Sequence, residues 1–455
     1  MQKLIGALAF AAVLLVAPAA HAAGINVVLN TDVNDRILAE LGRYGRVRDV
    51  LTQLDAVTVQ AKASDLAAIR ALPFVAAANP DAERNGGPVD AVAAADFTNG
   101  ISTWDLDAVN VTNIQAGPDR TVAYDGSGVT VAVLDSGLLD SWRQYFPQER
   151  IATQFGIAFG GGGGENGTVS SQPNKWQHDQ NSHGTHVTST ILGYSLGGAA
   201  INGVAPKATI IPVKVLNQNG RGWSSVIARG IVYVADLKKS GQVTGPVVIN
   251  MSLGGPVLDA VEKSAIDYAI ANGVVVVASA GNNGAAGMGY PGAYEPVISV
   301  AASGWVGEWK APAPGAPVNS WWNAGNVAEP TVAADFYITD FSSRALAGQE
   351  LDVAAPGSWI VGPYQNQSGK TSYFFLGGTS MAAPHVAGIA ALVLQKNGGL
   401  GQAAVENILL TSAIPLPPGS RSIVDPNVGP VTVSWGADAT GAGLATADAA
   451  LAATP

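Results

Sequence analysis

The sequence predicts an open α/β fold, a mostly parallel sheet with helices on both faces, preceded by a small α+β unit of ferredoxin-like type. Two observations carry this prediction. From residue 101 to residue 455, near-continuous apolar runs alternate with stretches of helical length. Continuous rather than alternating runs mark strands covered on both faces, as in a parallel sheet. Ahead of them, residues 24–79 hold shorter elements in the order strand, helix, strand, strand, helix, strand, which is the split βαβ pattern.

The elements follow in chain order. Residues 1–22 read as a signal peptide, with Lys3, an apolar run from Leu4 to Val16, and Ala20-His21-Ala22 as the small-x-small cleavage site. The run is shorter than the roughly 20 residues a helix needs to span a bilayer. In the next unit, residues 23–79, Ile25–Asn30, Arg46–Leu51, Ala56–Ala61 and Phe74–Ala77 are expected strands, and Asn34–Leu41 and Ser64–Leu72 expected helices. Residues 80–100, with Asn79-Pro80 and Asn85-Gly86-Gly87-Pro88, read as a mobile linker open to proteolytic processing. In residues 101–455, strands are expected at Val129–Leu134, Thr209–Leu216, Val247–Met251, Val274–Ala278 and Val297–Ala301. Helices are expected at His183–Leu192, Ser224–Leu237, Leu258–Ala271 and Met381–Gln395. In such folds, sites gather outside the carboxyl ends of the strands.

Composition narrows the function. Charged residues make up 13% of the chain against 47% apolar ones, which suits a large buried core rather than disorder. The net charge of −10 and the lack of a dense Lys/Arg run argue against nucleic acid as a partner. With no cysteine, disulfides and thiolate chemistry are excluded.

Ser380 lies in Gly377-Gly378-Thr379-Ser380-Met381-Ala382-Ala383-Pro384-His385, at the start of an expected helix. Free N–H groups and the helix dipole favour negative charge there, as a tetrahedral oxyanion requires. An ordinary N-cap serine would look the same. Pro384 is expected in the first helical turn. A nucleophilic serine needs a base, and His183, in Asn181-Ser182-His183-Gly184-Thr185-His186, opens another expected helix. Gly184 beside it permits close approach. His186 is expected to pack inward, and His385 to serve as a structural hydrogen-bonder. The base needs an acid to orient it. Asp135 ends the strand Val129–Leu134, while Asp140 and Asp179 are alternatives in polar loops. Asn282, just past Val274–Ala280, could donate to an oxyanion or simply make a turn.

These segments resemble the subtilisin-like serine peptidases. Val133-Leu134-Asp135-Ser136-Gly137, His183-Gly184-Thr185-His186-Val187 and Gly378-Thr379-Ser380-Met381-Ala382-Ala383-Pro384-His385 are similar to that family's three catalytic motifs, in its order Asp, His, Ser. Ala280-Gly281-Asn282 resembles its oxyanion segment. The resemblance covers nearly all of residues 101–455 and implies a catalytic set of Asp135, His183 and Ser380 with Asn282 at the oxyanion. It further implies that residues 23–79 are an inhibitory pro-domain. Gly220 and Gly222, with Ser252, Leu253 and Gly254, resemble the two backbone segments that flank an extended peptide. Gly289 resembles the floor of the primary specificity pocket, so large apolar residues are expected before the cleaved bond. No acidic residue lies on the matched segments, and selection for basic residues is not expected. Residues 192–202 lack the oxygen-rich loop that often binds calcium in this family. No metal site is therefore assigned and no cofactor is required, with structural calcium elsewhere left open.

The expectation is a secreted endopeptidase, extracellular or periplasmic, working as a monomer on protein or peptide substrates. Its own pro-domain would be an intramolecular inhibitor, and no membrane anchor would remain after signal cleavage. Autoprocessing is expected between Asp81 and Thr103, with Phe97–Thr98 as one suitable bond. The alternative is a non-catalytic exported binding protein on the same fold. Departures from the family include five glycines at 160–164 and a long segment, 303–339, holding Trp305, Trp309, Trp321 and Trp322. That segment is expected as a satellite cluster or as a rim of the cleft.

Overall fold

The computed structural model describes residues 23–93, 103–113, 117–160, 169–196, 199–310, 319–320, 327–364 and 372–455. The signal-peptide reading of residues 1–22, the bond Phe97–Thr98, Trp321, Trp322 and glycines 161–164 lie outside the described residues.

The main sheet runs, by neighbour, Ser171–Gln172, Ile157–Phe159, Thr209–Lys214, Thr130–Asp135, Val247–Met251, Val274–Ser279 and Ile298–Trp305. All of these pairs are parallel except the first. Ile298–Trp305 also carries Phe336–Ile338 antiparallel and Val353–Pro356 parallel. The continuous apolar runs have the anticipated cause. Val131 and Val133 belong to one buried cluster and Ala132 and Leu134 to another, on opposite faces of the sheet. Helices His183–Leu192 and Thr379–Lys396 share the first cluster, Ser224–Lys239 and Ala260–Ala271 the second. After Thr130–Asp135 the chain goes to one side of that strand and later returns to the other. The carboxyl end of this strand, where Asp135 sits, is thus a topological switch point.

The N-terminal unit forms the split βαβ arrangement. Its antiparallel sheet has the order Gly45–Leu51, Ala56–Ala61, Ala23–Leu29, Val75–Pro80, with helices Asp35–Leu41 and Leu66–Arg70 and a core of its own. Asn34 caps the first helix by accepting from the Ile37 N–H at 3.1 Å. The unit docks on helices Ser224–Lys239 and Ala260–Ala271. Arg229 grips Asp49, Gln53 donates to Asp236 at 2.7 Å, and Asn79 donates to Asp259 at 2.7 Å. Between the two helix starts, buried Asn26 donates to Asp81 at 3.1 Å and to Asp259 at 2.8 Å. Asp81 also accepts from the Ser225 N–H at 3.0 Å, and Asp259 caps Val261 and Glu262.

Two expectations change. Residues 83–93 are not a loose linker. Glu83–Asn85 pairs antiparallel with Arg221–Trp223, and Asp90–Ala93 pairs antiparallel with Tyr373–Gly377. The glycines and the proline that suggest mobility instead fit a strand passing through a narrow cleft. Trp305 and Trp309 form no satellite either, since both are buried in the main core. Trp305 lies against Trp104, and Trp309 meets Phe375, on the strand Tyr373–Gly377, edge-on at 5.0 Å.

Asp352 and Glu406 belong to a cluster of carboxyl groups with Glu350 and Glu295. Asp352 accepts from the Ser299 N–H and hydroxyl, both at 2.7 Å, and burial pushes its carboxyl up to about 6. Glu406, on helix Gln402–Ser412, is pushed from an ordinary 4.5 up to about 7, first by burial and then by Asp352, Glu350 and Glu295. A carboxyl whose pKa rises on folding holds its proton more tightly in the native state, so stability is lost as pH rises through that window. Replacing Glu406 with Gln is therefore expected to raise Tm by a few degrees at pH 8. It should also flatten the decline of stability between about pH 4.5 and 7, as scanning calorimetry across that range would show.

Candidate active site

Asp135 is fully buried at the end of its strand. Its carboxylate accepts from the Ser136 N–H at 2.6 Å and lies 2.8 and 3.0 Å, through its two oxygens, from His183 Nδ1. His183 is the first residue of its helix and is also buried. The approach depends on Gly184, where a Cβ would stand 2.4 Å from the Gly137 carbonyl oxygen. The chain enters this helix through Ser182 in the left-handed region, φ 76°. Asp179 ties that turn by accepting from the Asn181 and Ser182 N–H groups at 3.0 and 2.8 Å. Burial pushes the Asp179 carboxyl up to about 6. Asp179 is thus a turn cap, and Asp140 pairs with exposed His178 at 3.0 Å, so neither alternative acid touches His183.

Ser380 is the second residue of helix Thr379–Lys396, which begins two residues earlier than its apolar run suggests. Pro384 therefore lies inside the helix, beyond the first turn. It has no N–H to offer the Ser380 carbonyl four residues back. That carbonyl accepts from the Ser252 hydroxyl instead, at 2.7 Å, which resolves the misplacement. The Ser380 hydroxyl donates to the Ser252 carbonyl at 3.1 Å, and His183 Nε2 has no hydrogen-bond partner among the described residues. Among the described residues the Ser380 hydroxyl and His183 Nε2 are thus not hydrogen-bonded to each other. Asn282 accepts through Oδ1 from the Thr379 N–H at 2.9 Å and the Thr379 hydroxyl at 2.8 Å. Its amide Nδ2 is thereby turned towards the cleft.

The cleft itself is filled by residues 84–90. Arg84 stands opposite Gly222. Asn85 exchanges both backbone hydrogen bonds with Gly254, each 2.9 Å, and the Gly86 N–H donates to Gly220 at 2.8 Å. The Val89 N–H donates to Gly377 at 2.7 Å. Gly87 and Pro88, between these anchors, border a cavity of about 280 Å³ together with Asn282, Thr379 and Ser380. Gly254, expected in a segment flanking the peptide, and Gly289, expected at the floor of the specificity pocket, line the same cavity. Gly220, Gly222, Ser252 and Gly254 meet the strand or the serine through their backbones. Leu253 contributes only its place in the segment, since its side chain is buried in the core.

The remaining histidines are accounted for. His186 is buried and donates from Nε2 to the Ile360 carbonyl at 3.1 Å, and burial pushes it down to about 3. His385 bridges the Met381 carbonyl and Asp105, both at 2.9 Å, as a structural hydrogen-bonder. Among the described residues no three His, Asp or Glu side chains are placed to hold a metal ion. Sequence reasoning missed Arg84 and Glu262. They form a fully buried, forked ion pair beside the cleft, with Arg84 Nε 3.1 Å from each Glu262 oxygen. Glu262 follows the cap residue Asp259 by three positions, so it reads as helix chemistry rather than as part of a site.

A buried acid–base pair, a serine at a helix start and an amide donor, arranged around an extended chain segment, define a serine endopeptidase of the subtilisin type. Comparison with known proteins agrees. The model of the subtilase family matches residues 126–444. Subtilisin DY of Bacillus licheniformis is 34% identical over 304 residues, covering 66% of this chain and 89% of that protein. Subtilisin E of Bacillus subtilis is 36% identical over 309 residues, covering 67% and 65%. Among solved structures, fervidolysin from Fervidobacterium pennivorans, a keratinolytic enzyme related to subtilisin, aligns with a TM-score of 0.65 at 23% identity. That alignment spans 94% of this chain and 61% of fervidolysin. Sphericase aligns with a TM-score of 0.53 at 27% identity, over 75% of this chain and 97% of sphericase. The chain belongs to the subtilase family.

Proposed function

We propose that the protein is an exported endopeptidase, made as a zymogen, that hydrolyses peptide bonds through an acyl-enzyme. Ser380 attacks the carbonyl, and His183 takes its proton and passes it to the leaving amine. Asp135 orients and stabilises the charged imidazole, and the Ser380 N–H and Asn282 amide hold the oxyanion. The observation that carries this reading is the buried Asp135–His183 contact, with the His183 ring beside Gly86 of the same extended segment that borders Ser380. Export rests on the leader-like residues 1–22, and among the described residues no helix is long and apolar enough to cross a membrane. Reaction of the mature protein with a fluorophosphonate, mapped by peptide mass, tests the assignment. Label on Ser380 supports it, and an unlabelled Ser380 in folded protein overturns it.

The zymogen reading differs from the sequence expectation in its inhibitory part. The residues across the cleft are 84–90, and the unit 23–79 anchors them from the two neighbouring helices. Between the backbone anchors at Gly86 and Val89, the bond bordering the cavity that Ser380 lines is Gly87–Pro88, which is a poor one. Gly87 puts no side chain into the specificity pocket, so the preference for large apolar residues goes unused. Pro88 carries a ring carbon where other residues carry the amide hydrogen. That carbon crowds the nitrogen which His183 must protonate. The tail therefore acts as a tight, slowly cut strand, and processing occurs at another bond between Asp81 and Thr103. Replacing Pro88 with Ala is expected to create a mature N-terminus at residue 88 and to speed processing at least tenfold, as an order of magnitude from about 1.4 kcal/mol of barrier. N-terminal sequencing over a time course checks this, and a wild-type mature chain starting at Pro88 would refute it.

A further inference from the structure

We infer that Glu262 makes the cleft selective for arginine at the fourth residue before the cleaved bond. The inference rests on the peptidase reading above and adds a substrate class to it. With Gly87 as the residue before the bond, Arg84 is the fourth. Its backbone is fixed by the strand pair with Arg221–Trp223, and the next residue by the double bond exchange with Gly254. Its side chain is 0% exposed and that of Glu262 is 1% exposed. The guanidinium reaches both Glu262 oxygens through Nε and one of them again through Nη2. Nη2 also donates to the Val257 carbonyl at 3.0 Å. Gly255 leaves room for this side chain, since a Cβ there would stand 2.9 Å from Nη1.

All of these partners except Arg84 belong to the catalytic region and remain when the tail leaves. Glu262 is held from within its own helix, its N–H bonded to Asp259 at 3.1 Å. Burial pushes its carboxyl up, and the Arg84 charge opposes that. The pocket therefore offers a carboxyl that a guanidinium holds in its ionised form, and the Val257 carbonyl beside it. A substrate carrying arginine at this position restores the fork. One carrying an uncharged side chain covers the carboxyl without its cation, at the cost of an unpaired buried charge or of a proton taken up, and loses the fork. Lysine supplies a single point of charge and cannot fork.

The test uses the mature enzyme and fluorogenic peptides that differ only at this position. Arginine is compared with citrulline, its uncharged near-isostere, and with lysine. The expected kcat/KM is about a hundredfold higher for arginine than for citrulline, with lysine between. In Glu262→Gln the arginine peptide should fall to the citrulline rate. Equal rates for the wild-type enzyme overturn the inference, as does an arginine preference that survives Glu262→Gln. If that variant does not fold, the wild-type comparison alone decides. If no peptide is cleaved, the peptidase reading fails. Calorimetric binding of a peptide spanning residues 79–87 and its citrulline analogue to the mature chain then reads the pocket without chemistry, and equal affinities overturn the inference.

Discussion

Replacing Ser380 with alanine is expected to lower kcat for peptide hydrolysis by about 10⁶-fold, a magnitude measured on the relative subtilisin rather than derived from this geometry. The physical case is local. Ser380 sits on a helix start whose free N–H groups face the cleft, and its carbonyl is locked by Ser252. Among the described residues its hydroxyl makes one hydrogen bond, to the Ser252 carbonyl. Losing a single bond of this kind costs about 1 kcal/mol, so the variant should fold and melt near the wild-type temperature. Some rate above the uncatalysed reaction should survive, because Asn282 and the cleft remain. The variant should also stay unprocessed. Hydrolysis at wild-type rate in purified protein would remove Ser380 from the mechanism. A mature N-terminus identical to the wild type would assign processing to another protease.

Asp135→Asn is expected to lower kcat by about 10⁴-fold with little change in KM, by analogy with the same exchange in another triad. The Ser136 N–H bond to Oδ1, at 2.6 Å, holds the amide oxygen in place. The new NH₂ then stands where Oδ2 lies, 3.0 Å from His183 Nδ1. Nδ1 then lies between an amide donor at the Oδ2 position and only a neutral acceptor, Oδ1 at 2.8 Å, so the tautomer with its proton on Nδ1 is no longer enforced and the base that Ser380 needs is weakened. The charge that stabilises the imidazolium is lost as well, in a site with no exposure to water. Steady-state kinetics and the rate of fluorophosphonate labelling should fall together. A loss below about tenfold would reduce Asp135 to a cap for the Ser136 turn, far from the triad case.

Most of the fold was legible because its signals are local and redundant. The five central strands are apolar on both faces, and helix His183–Leu192 begins and ends where its pattern does. Asp135 and Asn282 were legible because one ends and the other follows an apolar strand, and His183 and Ser380 because each opens a helix. What was not legible depends on partners distant in sequence. Nothing near Pro384 reveals that Ser252 would satisfy the carbonyl that the proline leaves bare. Asn85-Gly86-Gly87-Pro88 has the composition of a loop, and only the edges at Gly220, Gly254 and Gly377 make it a strand. Arg84 and Glu262 are 178 residues apart and carry no motif between them.

The strand in the cleft is joined to the N-terminal unit at one end and to the family core at the other. Its local concentration is fixed by chain geometry, on the order of millimolar or above, and is unaffected by dilution. A single cut on the core side changes the order of the process. The unit and its tail become a separate ligand, and the blocked fraction follows total protein and the dissociation constant. On the zymogen proposal, blockade in the intact chain is a property of one molecule; after the cut it is a property of the solution, and dilution alone relieves it.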